Sequence, residues 1–190
     1  MAILQSSHWP AAMINQYHMN MQYSKNQLFF LASLRILIGW HFLYEGLIKV
    51  FNPGWTSKAY LLSAEGPLSF FFKWLGGSAL ADAADIVTIA LLIGIGLALV
   101  LGAFEKVAAF AGIALLAMFY LSHPPLPGLE NAGPSEGNYF IVNKNLIEMA
   151  ALGVLSFFPT SHLVGLVYYF NRSKASPMSN PKIPQEVGNV

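Results

Sequence analysis

Four ionisable side chains interrupt one hydrophobic run. Arg35, His41, Glu45 and Lys49 lie within residues 34–51, a stretch otherwise apolar enough to enter a membrane. At about 100° per residue, with Arg35 at zero, the other three fall near about 240°, 280° and 320° on a helix. All four share an arc of about 120°, and Trp40 and Tyr44 lie elsewhere. A lipid-facing charge costs roughly 2.5–3.5 kcal/mol at a helix centre, so this stripe is expected to face protein. Imidazole, carboxylate and ammonium groups on one dry face can donate hydrogen bonds, neutralise one another or pass protons.

The elements that position this stripe follow from composition. Hydrophobic residues make up 55% of the 190 and charged residues only 10%. A soluble domain carries about 25% charged residues, so the chain reads as a membrane protein. The predicted fold is all-α: a four-transmembrane-helix up-down bundle with interfacial amphipathic helices capping its outer face. The spans are expected near 27–51, 83–104, 106–122 and 143–158. Asn52-Pro53-Gly54 stops the first, and the short link 102–106 folds the second and third into an antiparallel hairpin. Pro159 interrupts the fourth, after which Ser161 is expected to cap an interfacial helix over 161–170. The run 68–75 and the neighbouring Trp55, Tyr60 and Trp74 predict one or two helices lying on the outer face. Residues 1–26 read as a disordered polar lead and 171–190 as a flexible tail. Lys25, Lys106, Arg172, Lys174 and Lys182 flank one side of the spans and Lys58, Lys73 and Lys144 the other. By the positive-inside rule both termini are cytoplasmic, in a bacterial inner membrane.

This topology gathers chemistry at one end. Glu45 and Lys49 meet Asp85 at the start of the second span, and Tyr120 and His123 at the end of the third. Lys144, Asn145 and Glu148 open the fourth. Glu45, His123 and Glu148 have the proton affinities of a relay. Arg35 lies in the other half and needs a separate partner. Two readings stay open: a ligand pocket, or ion pairs at i,i+4 (Glu45–Lys49, Lys144–Glu148) that neutralise each other and pin the bundle. Other chemistries find no support in the pattern. With no cysteine there is no thiol–disulfide chemistry, cysteine-held iron–sulfur cluster or c-type haem. His41, His123 and His162 sit at unmatched depths for haem ligation, and no metal-ligand spacing is present. Gly94-x-Gly96 lies inside a span, where small residues allow helix packing, so it is no nucleotide loop. No basic patch or nucleic-acid motif occurs.

The stripe also carries a family pattern. Arg35-x-x-x-Gly39-x-x-Phe42-x-x-x-Gly46-x-x-Lys49 resembles the first-helix signature of the DoxX-like membrane proteins, which include the DoxD-type subunit of thiosulfate:quinone oxidoreductase. The hairpin 92–117 and the segment 136–148 are similar to that group as well, so the resemblance covers about residues 28–170. It implies a four-helix membrane bundle and a role in quinone-linked redox chemistry or oxidative-stress defence. On that reading quinone is the substrate, and Lys49 or Lys144 would hold a quinone carbonyl. Arg35, His41, Asp85, Tyr120 and Asn145 would complete the site, and Glu45, His123 or Glu148 would move protons. Electrons would come from a partner oxidoreductase subunit or directly from a reductant. A homo-oligomer is compatible with the pattern. A non-enzymatic membrane anchor or assembly partner of a redox complex is the alternative, because fold resemblance does not fix function.

Overall fold

The structure is a computed structural model that describes residues 23–126, 129 and 138–174. The expectations for the lead, the tail and most of the loop after His123 fall outside these residues. Seven helices and one short hairpin are present among the described residues. Helix α1 (Lys25–Val50) starts two residues earlier than the apolar run implies. The cause is a capping box: Ser24 Oγ accepts from Gln27 N at 3.2 Å, and Ser24 N donates to Gln27 Oε1 at 2.9 Å. The two short helices α2 (Lys58–Leu62) and α3 (Ser69–Gly77) follow. Then come α4 (Ala81–Leu101) and α5 (Glu105–Ser122). A two-residue antiparallel hairpin, β1 (Asn138–Tyr139) with β2 (Val142–Asn143), leads into α6 (Lys144–Phe157). Helix α7 (Leu166–Lys174) closes the described chain.

Three of these helices, α1, α4 and α5, are long and apolar enough to cross a membrane. The fourth expected span is shorter. Asn143 caps α6 through its side chain, which accepts from Leu146 N at 3.1 Å, and the helix ends at Phe157 before Pro159. Its 14 residues rise about 21 Å, less than the ~30 Å hydrocarbon core. The expected helix over 161–170 also starts later. Thr160 and Ser161 turn their backbone N–H groups onto Glu105, so no helix begins there, and α7 starts after Gly165.

The long helices touch in sequence around a shared core. Helix α1 packs most extensively on α4, α4 on α5, α5 on α6, and a thin α1–α6 seam completes the circuit. Ile38, Phe42, Leu92, Ile95, Leu99, Leu116, Leu152 and Leu155 fill the middle. Close approach of α1 and α4 needs Gly96, where a Cβ would lie 2.5 Å from Leu43 N. At one end, α2 and α3 form a cap with a small core of its own, Leu61, Ala64 and Phe72. The cap is tied down by backbone bonds from Glu65 N and Gly66 N to Ser122 O, both 3.0 Å. The end beneath α2 and α3 is the cap end. The opposite end carries the α4–α5 link at 102–104 and the 159–165 turn.

Gly96→Ala is expected to destabilise the fold by about 1–3 kcal/mol, because backbone rather than a pliable side chain blocks the added methyl. Gly94→Ala, which meets nothing within 4 Å, is expected to stay within about 0.5 kcal/mol of the parent. Thermal or denaturant unfolding in mild detergent reads both.

Candidate functional site

Two polar clusters lie at opposite ends. The first explains Arg35. Its guanidinium is 1% exposed and is enclosed at the end away from the cap. Nη1 donates to Thr160 Oγ1 at 2.9 Å and lies 3.6 Å from Glu105 Oε2. Glu105 is the hub: Oε2 also accepts Thr160 N at 2.8 Å and Ser161 N at 2.7 Å. One carboxylate thus holds α1, the start of α5 and the 159–165 turn together. Gly102 and Gly165, both at positive φ, let the two turns close over the guanidinium. Arg35 therefore stands apart from the other candidate residues: ten residues separate it from Glu45, about 15 Å along a helix. Its partner was legible in principle, since Glu105 opens the span that starts at Arg35's own end. Thr160, beyond a proline turn, carried no such signal.

The second cluster adjoins a cavity of about 640 Å³ beneath the cap. Its lining is mostly apolar, with α4 and α5 supplying residues such as Thr88, Leu92, Leu115 and Phe119, and α3 supplying Phe72. The charged groups, with His41 and Asn145, form one wall contributed by α1 and α6, and Thr56, Ser57, Tyr60, Thr88 and Ser122 add hydroxyls elsewhere. His41, Glu45, Lys49, Lys144, Asn145 and Glu148 all line it. His41 Nδ1–H donates to both oxygens of Glu148, at 2.8 and 3.0 Å, across the α1–α6 seam. Lys49 Nζ donates to Glu45 Oε2 at 2.7 Å and to Glu45 O at 3.0 Å. It also sits 5.4 Å from the Trp55 ring centre, a cation–π contact. The expected i,i+4 pair of Glu45 with Lys49 forms. That of Lys144 with Glu148 does not, because His41 takes the carboxylate; Lys144 stays exposed, with no ion pair among the described residues.

Three other sequence candidates surround the cavity without lining it. Asp85 accepts from Ser57 N at 2.8 Å and from Ser57 Oγ, and so pins the start of the cap to α4. Tyr120 turns toward the β-hairpin, its hydroxyl donating to Ile141 O at 2.8 Å. His123 lies one residue beyond the wall: Nδ1 pairs with Ser122 Oγ at 3.1 Å, Nε2 with Ser63 Oγ at 3.2 Å, and its ring stacks 4.2 Å from that of Tyr60. Tyr60 Oη in turn reaches Ser122 Oγ at 2.7 Å. Tyr60 and Ser122 do line the cavity; sequence reasoning took Tyr60 for a headgroup-level aromatic and passed over Ser122. Burial raises the Tyr60 phenol above its ordinary value, with Ser122 opposing. Burial also lowers the His123 imidazole, against the pull of Ser63 and Glu65.

Long apolar helices that enclose a buried ion pair and an interior cavity define a multi-pass helical membrane protein. It belongs to the DoxX family: the model described as DoxX matches residues 30–124, half of the chain. The match takes in most of α1, the cap, α4 and α5, but not α6, which brings Lys144, Asn145 and Glu148. No curated protein and no solved structure matches the chain.

Two outcomes are expected. Glu105→Ala leaves the Arg35 charge buried and uncompensated and is expected to cost about 3–5 kcal/mol, more than the double variant Arg35→Met/Glu105→Ala, by denaturant unfolding in detergent. Folding disfavours protonation of His123, so its contribution is complete above the ordinary value of 6.5 and declines as pH falls through the lower folded value. Melting temperatures across this range are expected to fall more for the parent than for His123→Gln.

Proposed function

We propose that this protein is the membrane subunit of a quinone-linked oxidoreductase, with the cavity beneath the cap as its quinone site. The observation that carries the reading is the division of the cavity into a large apolar part and one polar wall with two ion pairs. A quinone has that character: an apolar ring and tail, and a pair of carbonyl acceptors that need donors and, on reduction, protons. Lys144 and Asn145 have donor groups uncommitted among the described residues and would face the carbonyls. His41 and Glu148, already sharing a hydrogen bond, are placed to exchange a proton with the ligand. Lys49, held by Glu45, would supply fixed positive charge. Asp85, Tyr120 and His123 would position the cap and walls, and Arg35 would act only on the frame.

Electrons would arrive from a partner subunit or a reductant, and the DoxD-type relationship to thiosulfate:quinone oxidoreductase belongs to this proposal. So does a four-span up-down topology in a bacterial inner membrane, with cytoplasmic termini and the cap facing outward. Self-association is compatible with it.

Purification in mild detergent followed by lipid extraction is expected to return close to one quinone per chain. Glu148→Gln and Lys49→Met are expected to lower that occupancy by about tenfold, the effect of losing about 1.4 kcal/mol of binding, with melting temperature little changed. A co-purifying protein without quinone, and variants indifferent at both positions, would instead favour an anchor or assembly role. Variants that lower only the melting temperature would mark the ion pairs as purely structural.

A further inference from the structure

Helices α4 and α5 part at the cap end. Away from the cap they are joined by the link 102–104, and Leu99 of α4 and Ala109 of α5 are fully buried. Beneath the cap the same pair behaves differently. Val87, Leu91 and Met118 line the cavity and yet are 55%, 38% and 37% exposed. Their places on the helices say which gap this is. On α4, Leu92, Ile93 and Gly96 face α1, through Gly46, Gly39 and Leu43. Val87 and Leu91 lie on the other edge, one turn apart, toward α5. On α5, Gly112 faces Leu152 of α6, and Tyr120 reaches Ile141 at the head of α6. Met118 lies on the opposite edge, toward α4. These three exposed apolar residues thus form the two lips of one slot, while Tyr60 and Lys144 are exposed at other edges of the cavity.

We infer that this slot between α4 and α5 is a lateral portal through which an apolar or amphipathic molecule dissolved in the bilayer reaches the cavity. The lips are Val87 and Leu91 on one side and Met118 on the other, with Phe71 of α3, 41% exposed and also lining the cavity, above them. No charged side chain stands among these four. The charged lining residues all belong to the α1 and α6 wall. A molecule passing the lips therefore enters tail-compatible surface first and meets the polar wall across the cavity. Helices α4 and α5, which carry the lips, are both long and apolar enough to cross a membrane, which sets the slot against hydrocarbon rather than water. Methionine, unbranched and adaptable, suits a lip that must yield to guests of different shape. The portal deepens the quinone reading by naming the route and the class of ligand, but it stands on the lip geometry alone.

The chain has no cysteine, so single thiols report access cleanly. Thr88→Cys, nearly isosteric, places a thiol on the cavity wall, and Leu115→Cys places a second on the facing helix. Each variant is reconstituted in phosphatidylcholine vesicles and treated with an N-alkylmaleimide or with a sulfonated, membrane-impermeant maleimide on both sides. The alkyl reagent is expected to label about tenfold faster or more, because its chain concentrates it in the bilayer. Adding Leu91→Trp and Met118→Trp is expected to slow the alkyl reagent several-fold by filling the slot. Labelling in SDS by both reagents confirms an intact thiol, and melting curves confirm that each variant is folded. Equal labelling by the charged reagent would overturn the portal by showing a water-facing mouth. Labelling by neither reagent in the folded protein, or indifference to the tryptophans, would overturn it as well. Protection of Thr88→Cys by a short-chain quinone is read separately, so the portal and the quinone reading fail independently.

Discussion

The frame hangs on a single carboxylate. Glu105 is 2% exposed and satisfies two backbone N–H groups of the 160–161 turn while lying beside the Arg35 guanidinium. A buried charge of this kind contributes little net stability against an apolar replacement, yet losing one partner is expensive. Its effect is therefore on geometry: α1, the α4–α5 link and the turn after α6 must meet in one arrangement for both charges to be accommodated. Pinning that end lets the other diverge. Four helices fixed at one end and capped at the other can enclose a cavity without losing their register.

The cavity itself separates charge from apolar surface by helix. The charged lining comes from α1 and α6, and α4 and α5 contribute apolar groups with the hydroxyls of Thr88 and Ser122. Each carboxylate on the polar wall already has a partner, Glu148 with His41 and Glu45 with Lys49. The wall is thus nearly self-neutralised when empty, which keeps its desolvation cost down. Lys144 has no ion pair among the described residues, so its ammonium is not offset by a carboxylate of the wall.

Much of this was legible in the chain, for identifiable reasons. The stripe from His41 to Lys49 follows from helical periodicity alone, and the structure places these three side chains on one wall. The positions of α1, α4 and α5 follow from hydrophobic length. Periodicity within one helix cannot say which residue of another will answer it. Glu148 was paired by sequence with its own neighbour Lys144, yet the α1–α6 seam delivers His41 instead. Arg35 was already set apart by depth, and only the family pattern put it in the site; the structure gives it Thr160 and Glu105 at the other end. The contacts of Thr160 and Ser161 with Glu105 cross 55 and 56 residues and pass through a turn with no periodic signal. The apolar character of the cavity was hidden for a similar reason: it is a property of facing walls, and each helix taken alone shows only one.

Helix α6 has a mechanical consequence. Its 14 residues reach about two-thirds of the way across a typical hydrocarbon core. Where this side of the molecule meets lipid, the bilayer must compress or the apolar Phe158, Leu163 and Val164 that follow must sink to fill the shortfall. Either response stores elastic energy that grows with bilayer thickness. That load would fall on the thin α1–α6 seam, which His41 and Glu148 close. In the four-span arrangement proposed above, bilayer thickness would bear on the polar wall through this seam.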